Sequence, residues 1–193
     1  MSGYPELNRA PNEAQTTVPH YIDINGNAVP FPVDGSGRPV TAASGQSVEI
    51  AVAVAVTAAA YTAGNVMGGV IAFPGALRSP SLSGILNSVR VSDKKANSDA
   101  RELWLFNANP AGSTFTDKAA PAIAVADIPK IIGRYVLGAP NSALGTHASY
   151  QLDGIGKVIQ AAATTLYGVL LTQGAPTPAS TSDIAVAIGV VQD

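Results

Sequence analysis

Strict alternation of branched and small residues marks the stretch SVEIAVAVAVTAAAYTAG, which runs from Ser47 to Gly64. With the two-residue repeat of a β-strand, one face carries branched side chains, and the other carries Glu49 followed by bare methyl groups. In a helix the same valines would be spread around the axis and would form no apolar stripe. The stretch therefore predicts a strand with these residues on the core side: Val48, Ile50, Val52, Val54 and Val56.

This stretch is also the nearest approach to a membrane segment in the chain. Its apolar run is shorter than the ~18–20 residues that a spanning helix needs, and polar residues such as Thr57 interrupt it. The first residues show no basic region followed by an apolar run, so they do not resemble a secretory signal. We therefore expect no membrane segment and no membrane partner.

The small face of the predicted strand raises a separate question, because strands usually disfavour alanine. Ala51, Ala53 and Ala55 either allow another surface to approach closely or form an uncharged exterior. Charged residues make up 12% of the chain, about half of the ~25% that is usual in globular domains. Because so little charge covers a monomer poorly, we predict that these three alanines lie against another chain or layer.

The end of the chain repeats the same pattern. In SDIAVAIGVVQD, the branched residues from Ile184 to Val190 share one face, and Ala185, Ala187 and Gly189 share the other. The two stretches could use this pattern independently. We predict instead that the first and last strands pair or lie in the same sheet.

Between these two stretches, short apolar runs alternate with segments rich in glycine, proline, serine and aspartate. About eight or nine runs have strand length, PAIAVADI among them, and only AVADIPKIIG, around Pro129, has room for a helical turn. This spacing predicts an all-β fold, an antiparallel β-sandwich or a jelly-roll-like barrel of about eight strands. Trp104, the only tryptophan, is expected to anchor the core, with an interface as the alternative.

Residues 1–46 differ from residues 47–193, and we interpret them as an extended N-terminal arm before a β-sandwich domain. Six prolines exclude a helix interior or a central strand there. A hairpin in YIDINGNAVPF, with a primed turn at Asn25–Gly26, is possible. The arm is either a disordered tail or a segment that orders along a neighbouring subunit. On the second interpretation Tyr4, Tyr21 and Phe31 are interface candidates.

The sequence offers little chemistry. It has no cysteine, and neither His20 nor His147 lies in a cluster with metal-ligand spacing. No serine-hydrolase elbow or phosphate loop is present, since GIGKV lacks the required spacing and hydroxyl residue. The charged window SDKKANSDARE is interpreted as an exposed loop, with an ion site as the alternative. We predict no catalytic, cofactor-binding or metal-binding residues and no enzyme activity.

The charge distribution gives no indication of a polyanionic partner. The net charge is −2, and lysine and arginine are scattered rather than clustered. A nucleic-acid partner normally requires a basic patch. We therefore expect none.

Three stretches resemble a family of tailed-bacteriophage virion structural proteins. They are AYTAGNVMGGVIAF, LWLFNANPAGSTFTDKAAPAIAVADIPKIIG and TTLYGVLLTQGAPTPASTSDIAVAIGVVQD. The resemblance covers most of residues 47–193 and rests on the combination and order of these stretches. It leaves out the N-terminal arm. It supplies no catalytic residues and leaves the position in the virion open.

Taken with the composition, the resemblance implies a capsid decoration (cement) protein on the virion surface, assembled in the host cytoplasm. Its expected partners are the major capsid protein and copies of itself, a trimer being the common form. Binding only the assembled shell would stabilise that shell by mass action. The alternatives are a tail, neck or head-fibre component, and a receptor- or carbohydrate-binding module.

Overall fold

The computed structural model describes residues 20–22, 26–30, 45–79, 81–140 and 142–193. The chain divides into two compact units, residues 1–43 and residues 44–193.

The first unit contains a hairpin of two short strands, β1 (His20–Ile22) and β2 (Ala28–Pro30). The strands pair antiparallel, so the predicted hairpin is confirmed. The register places Ile22 opposite Ala28. Asn25 of the predicted primed turn lies outside the described residues.

In the second unit, residues 45–79, 81–140 and 142–193 form nine strands. They are β3 (Gln46–Val54), β4 (Val66–Phe73), β5 (Ser83–Asp93), β6 (Arg101–Phe106), β7 (Ile131–Gly138), β8 (Ser142–Leu144), β9 (His147–Gln160), β10 (Leu166–Thr172) and β11 (Ile184–Gln192). One sheet has the order β3-β11-β5-β9-β8 and the other has the order β4-β10-β6-β7. All pairs are antiparallel. The predicted all-β sandwich is confirmed.

The first and last strands of this unit are neighbours, as their matching patterns predict. β3 and β11 pair without interruption from Val54 opposite Ile184 to Gln46 opposite Gln192. Branched residues therefore face branched residues on the inner side, and alanine faces alanine on the outer side. This like-with-like pairing explains why both strands alternate in the same way.

The main core lies between the two sheets. Each sheet contributes one side chain from every second strand position, as the pleat requires. The largest of these side chains include Met67, Phe73, Leu86, Leu103, Leu105, Tyr150, Ile159, Leu166 and Leu170. The branched row of β3 joins this core: Val54 and Val56 are buried, and Val48, Ile50 and Val52 are half-buried against it.

A second apolar cluster lies on the outer face of the four-stranded sheet, because residues 107–130 fold over that face. Trp104 and Phe106 of β6 point outward, and Phe115 of the covering segment packs on them, with 5.9 Å between the centroids of the two phenylalanine rings. Trp104 is 8% exposed, so its predicted core position is confirmed.

The covering segment is irregular. The run PAIAVADI, predicted as a strand, contributes one isolated bridge between Thr114 and Ala122. The predicted helical turn is confirmed as a 3₁₀ helix, Val125–Lys130. Proline has no amide hydrogen for a ladder, which explains why this region forms no strand.

Candidate functional site

The outward side chains of the five-stranded sheet form a broad surface that we call the open face. Within the second unit, no other layer of described residues covers the open face. Its members are Ser47, Glu49, Ala51, Ala53, Ala185, Ala187, Gly189, Val191, Ile85, Ser88, Arg90, Ser92, Ser149, Gln151, Asp153 and Val158. Most are alanine, serine or glycine. Small side chains therefore make up more than half of this surface.

One ion pair crosses the middle of the open face. Arg90 on β5 and Glu49 on β3 form a salt bridge over β11, which separates their strands. The β11 residues between them are Ala187 and Gly189, and their small size lets the two long side chains meet. The pair neutralises two of the few charges on this surface.

One end of the open face is apolar. Ile85 and Val158 lie directly opposite each other on β5 and β9, and they are 39% and 71% exposed. Val191 continues the row onto β11. Next to Val191 lies a shallow depression of about 320 Å³, and Glu49 and Gly189 are among the residues that line it. Ile85 and Val158 are the exposed large apolar residues of the described open face.

The structure places the predicted interface residues as follows. Ala51, Ala53 and Ala55 are exposed, so no layer of the described chain covers them. Their contact with another chain stays a prediction. Tyr21 lies in β1. Tyr4 and Phe31 lie outside the described residues.

The cover over the four-stranded sheet is fastened by Asp117. This carboxylate accepts hydrogen bonds from the Tyr61 hydroxyl (2.6 Å), the Gly68 amide (2.7 Å) and the Thr57 amide (3.0 Å). Burial alone would raise the pKa of Asp117, but these hydrogen bonds outweigh it and hold the pKa below its ordinary value. Burial and the same carboxylate raise the pKa of Tyr61. Asp117 therefore links residues 57–68 to the covering segment.

A second carboxylate holds the outer face of β6. Glu102 accepts hydrogen bonds from the Trp104 indole (2.8 Å), Arg134 Nε (2.7 Å) and Gln173 Nε2 (2.6 Å). The Arg134 guanidinium stacks over the Trp104 ring, 4.8 Å from its centroid. A buried carboxylate is tolerated here because three donors satisfy it.

The charged window SDKKANSDARE is an exposed loop only in part. Lys94 and Lys95 are exposed. Asp93 and Arg101 at its ends are fully buried, with 3.1 Å between Asp93 Oδ2 and Arg101 Nη2. Tyr150 stacks on the Arg101 guanidinium, and its hydroxyl donates to the Asn97 carbonyl oxygen at 2.7 Å. This cluster holds one end of the core together, and Arg101 balances the charge of Asp93.

Among the residues that the structure describes, no three His, Cys, Asp or Glu residues converge as metal ligands. His147 is exposed at the start of β9, and its Nδ1 lies 3.1 Å from Thr146 Oγ1. Among the residues that the structure describes, no helix is both long and apolar enough to cross a membrane.

Sequence reasoning missed the roles of Asp93, Arg101, Glu102 and Asp117. The first three lie in the charged window SDKKANSDARE, whose composition predicts an exposed loop. A faint signal was present for Glu102, because its neighbours Trp104 and Leu103 predict burial on both faces of β6. The partners of Asp93 and Asp117 are distant along the chain, and no local pattern reveals them.

Comparisons with known proteins identify no family. Neither the family models nor the curated proteins include a match to this chain.

Proposed function

We propose that this chain is a non-enzymatic structural protein of a tailed-bacteriophage particle. In this proposal it is a decoration protein that binds the assembled head and stabilises it. The observation that carries the proposal is the open face, a wide surface of mainly small side chains that no other layer of residues 45–193 covers. The resemblance of residues 47–193 to virion structural proteins supports the same role.

The chemistry of the open face favours contact with protein over capture of a small ligand. Small side chains let another backbone approach closely, and few charged groups must be desolvated when the surface is buried. The Arg90–Glu49 pair is already neutralised within the chain. A surface of this kind suits repeated packing against shell subunits and against copies of itself.

The stabilising effect follows from linkage. A protein that binds the closed shell but not its separated subunits adds the free energy of binding to the stability of the shell. Many weak contacts, repeated over the shell, add up to a large total. No group on this chain needs to react for this effect.

Copy number in purified particles tests the proposal. We expect hundreds of copies per particle, measured by quantitative mass spectrometry against the major capsid protein. A number that matches a single ring of subunits would overturn the decoration role and favour a tail or neck component. No copies at all in the particle would overturn the virion role.

A substitution then tests the open face itself. Ala53→Lys should impair decoration of particles, because a long charged side chain would have to be buried at the contact. Ala120→Lys is the matched control, since Ala120 is exposed on the covering segment. Equal decoration by the two variants, measured by co-sedimentation with particles that lack this protein, would show that the open face makes no contact with the shell.

A further inference from the structure

The edge formed by β3 differs from the other edges of the sandwich. β3 pairs with β11 on one side only, and in the strand order of the described sheet nothing lies on its other side. It is nine residues long, and its pairing with β11 shows no register shift. It contains no glycine, proline or lysine. An edge of this kind presents a row of backbone donors and acceptors that is ready to pair with another strand.

The remaining edges that the structure describes carry the features that normally prevent such pairing. β4 is interrupted by a bulge at Gly68 and Gly69, both with positive φ. β7 has register shifts near both ends. β8 has three residues. The rest of β9 is broken by the bulge between Asp153 and Lys157.

The half-buried side chains of β3 also point to a strand partner. Val48, Ile50 and Val52 pack against the core but remain partly exposed along this edge. A further strand with the same alternation would bury this row on the inner side and extend the alanine row on the outer side. β3 of a second copy has that alternation.

Charge favours one arrangement of the two strands. In an antiparallel pair centred on Ile50, all nine residues find a partner, and Glu49 of each copy lies opposite Ala51 of the other. A pair centred on Glu49 would instead place two carboxylates directly opposite each other, which is destabilising. The only charge on β3 therefore meets no like charge when Ile50 lies on the axis.

We propose that β3 pairs antiparallel with β3 of a second copy, about a two-fold axis at Ile50. The two five-stranded sheets then form one continuous ten-stranded sheet, and their open faces join into one surface on the same side. The contact is isologous, so it closes after two copies. Edge pairing by backbone hydrogen bonds is a recognised mode of protein association. This inference does not rest on the proposed virion role, because the purified chain alone is enough to test it.

Charge variants at Ala51 test both the contact and its register. Ala51→Lys places lysine opposite Glu49 of the partner twice, and Ala51→Glu places a second carboxylate there twice. We expect the wild-type chain and Ala51→Lys to dimerise, with a dissociation constant for Ala51→Glu about tenfold or more above that of Ala51→Lys. The double variant Glu49→Lys/Ala51→Glu should recover the dimer. Sedimentation velocity over a concentration series measures all four.

The outcomes separate the alternatives. A wild-type chain that stays monomeric overturns the proposal, whichever segment then occupies the edge. Equal weakening by lysine and glutamate at residue 51 also overturns it, since that result indicates face-to-face contact through the open face. Neither result bears on copy number in particles, so the two proposals fail separately.

Engineered thiols provide an independent check, because the chain has no cysteine of its own. An equimolar mixture of Glu49→Cys and Ala51→Cys should form the mixed disulfide in preference to either homodisulfide, since residues 49 and 51 lie opposite each other only in the proposed register. Mass spectrometry of the linked peptides identifies the pairing. A random distribution of the three disulfides would contradict the register centred on Ile50.

Discussion

The two outer faces of this sandwich differ in their side chains and in how far the rest of the chain covers them. The outer face of the four-stranded sheet carries Trp104, Phe106, Val169 and Leu171, and residues 107–130 pack over these side chains. Val70 and Val136, on the edge strands of the same face, stay exposed. The open face of the five-stranded sheet carries mainly alanine, serine and glycine, and the described chain leaves it bare. Large apolar side chains gain much free energy by leaving water, whereas methyl groups gain little. Within residues 45–193, the chain covers the centre of the strongly apolar face and leaves the open face uncovered.

The largest expected effect on the free energy of unfolding tests whether burial beneath residues 107–130 stabilises the fold. Trp104→Ala removes the central side chain of the covered face and should lower the free energy of unfolding by about 3–5 kcal/mol. Val158→Ala is the matched control, because Val158 is an exposed apolar residue on the open face, and it should cost no more than about 0.5 kcal/mol. Chemical denaturation measures both. Similar losses for the two variants would erase the distinction between the faces.

A smaller effect is expected at the fastening of the cover. Asp117→Asn replaces an acceptor of several hydrogen bonds with a group that carries its own donors, and it should cost about 1–3 kcal/mol. Chemical denaturation at neutral pH measures the loss. An unchanged free energy of unfolding would show that the Asp117 contacts do not hold the covering segment.

The difference in the free energy of unfolding between wild type and Asp117→Asn should also depend on pH. Because the pKa of Asp117 is lower in the folded chain, its contribution is complete above its unfolded pKa, which is about 4. It is lost as the pH falls through the folded pKa. We therefore expect the difference between wild type and Asp117→Asn to shrink below about pH 4. Comparing the two chains at each pH removes the contributions of other carboxylates, such as Asp127 and Asp183. A constant difference would contradict the assignment.

The smallest effect is expected on the open face. Glu49→Gln removes the salt bridge to Arg90, and both side chains are substantially exposed. The free energy of unfolding should therefore fall by no more than about 1 kcal/mol. The loss should also shrink at high salt, which screens exposed charges. A large loss that does not depend on salt would show that the open face contributes to the fold as strongly as the covered face.

The fold class, most strand positions and the pairing of the first and last strands follow from sequence, because they depend on patterns within a few residues. Alternation fixes which face of β3 is buried, and shared alternation brings β3 next to β11. The cover over β6 is less visible, because the run PAIAVADI has strand-like composition but folds as a bridge and a 3₁₀ helix. Its structure is set by the face on which it packs.

The fates of charged residues were harder to predict for the same reason. Asp93 and Arg101 lie in a window whose composition suggests a solvated loop, yet they are buried because Tyr150, from a distant strand, closes over Arg101. Burial of a charge depends on a partner, and the partner is set by topology. The candidate interface was easier to predict, because the exposure of Ala51 and Ala53 follows from alternation. The contact that would cover them stays a prediction.

The strand order also constrains how the chain is made. The central partner of each sheet comes last: β10 lies between β4 and β6, and β11 lies between β3 and β5. Until residues 166–192 leave the ribosome, neither sheet can close, and the valine-rich β3 has no partner within its own chain. Because it combines high strand propensity with little charge, an unpaired β3 is a hazard for aggregation during synthesis. A chain that ends ten residues early would keep this hazard permanently.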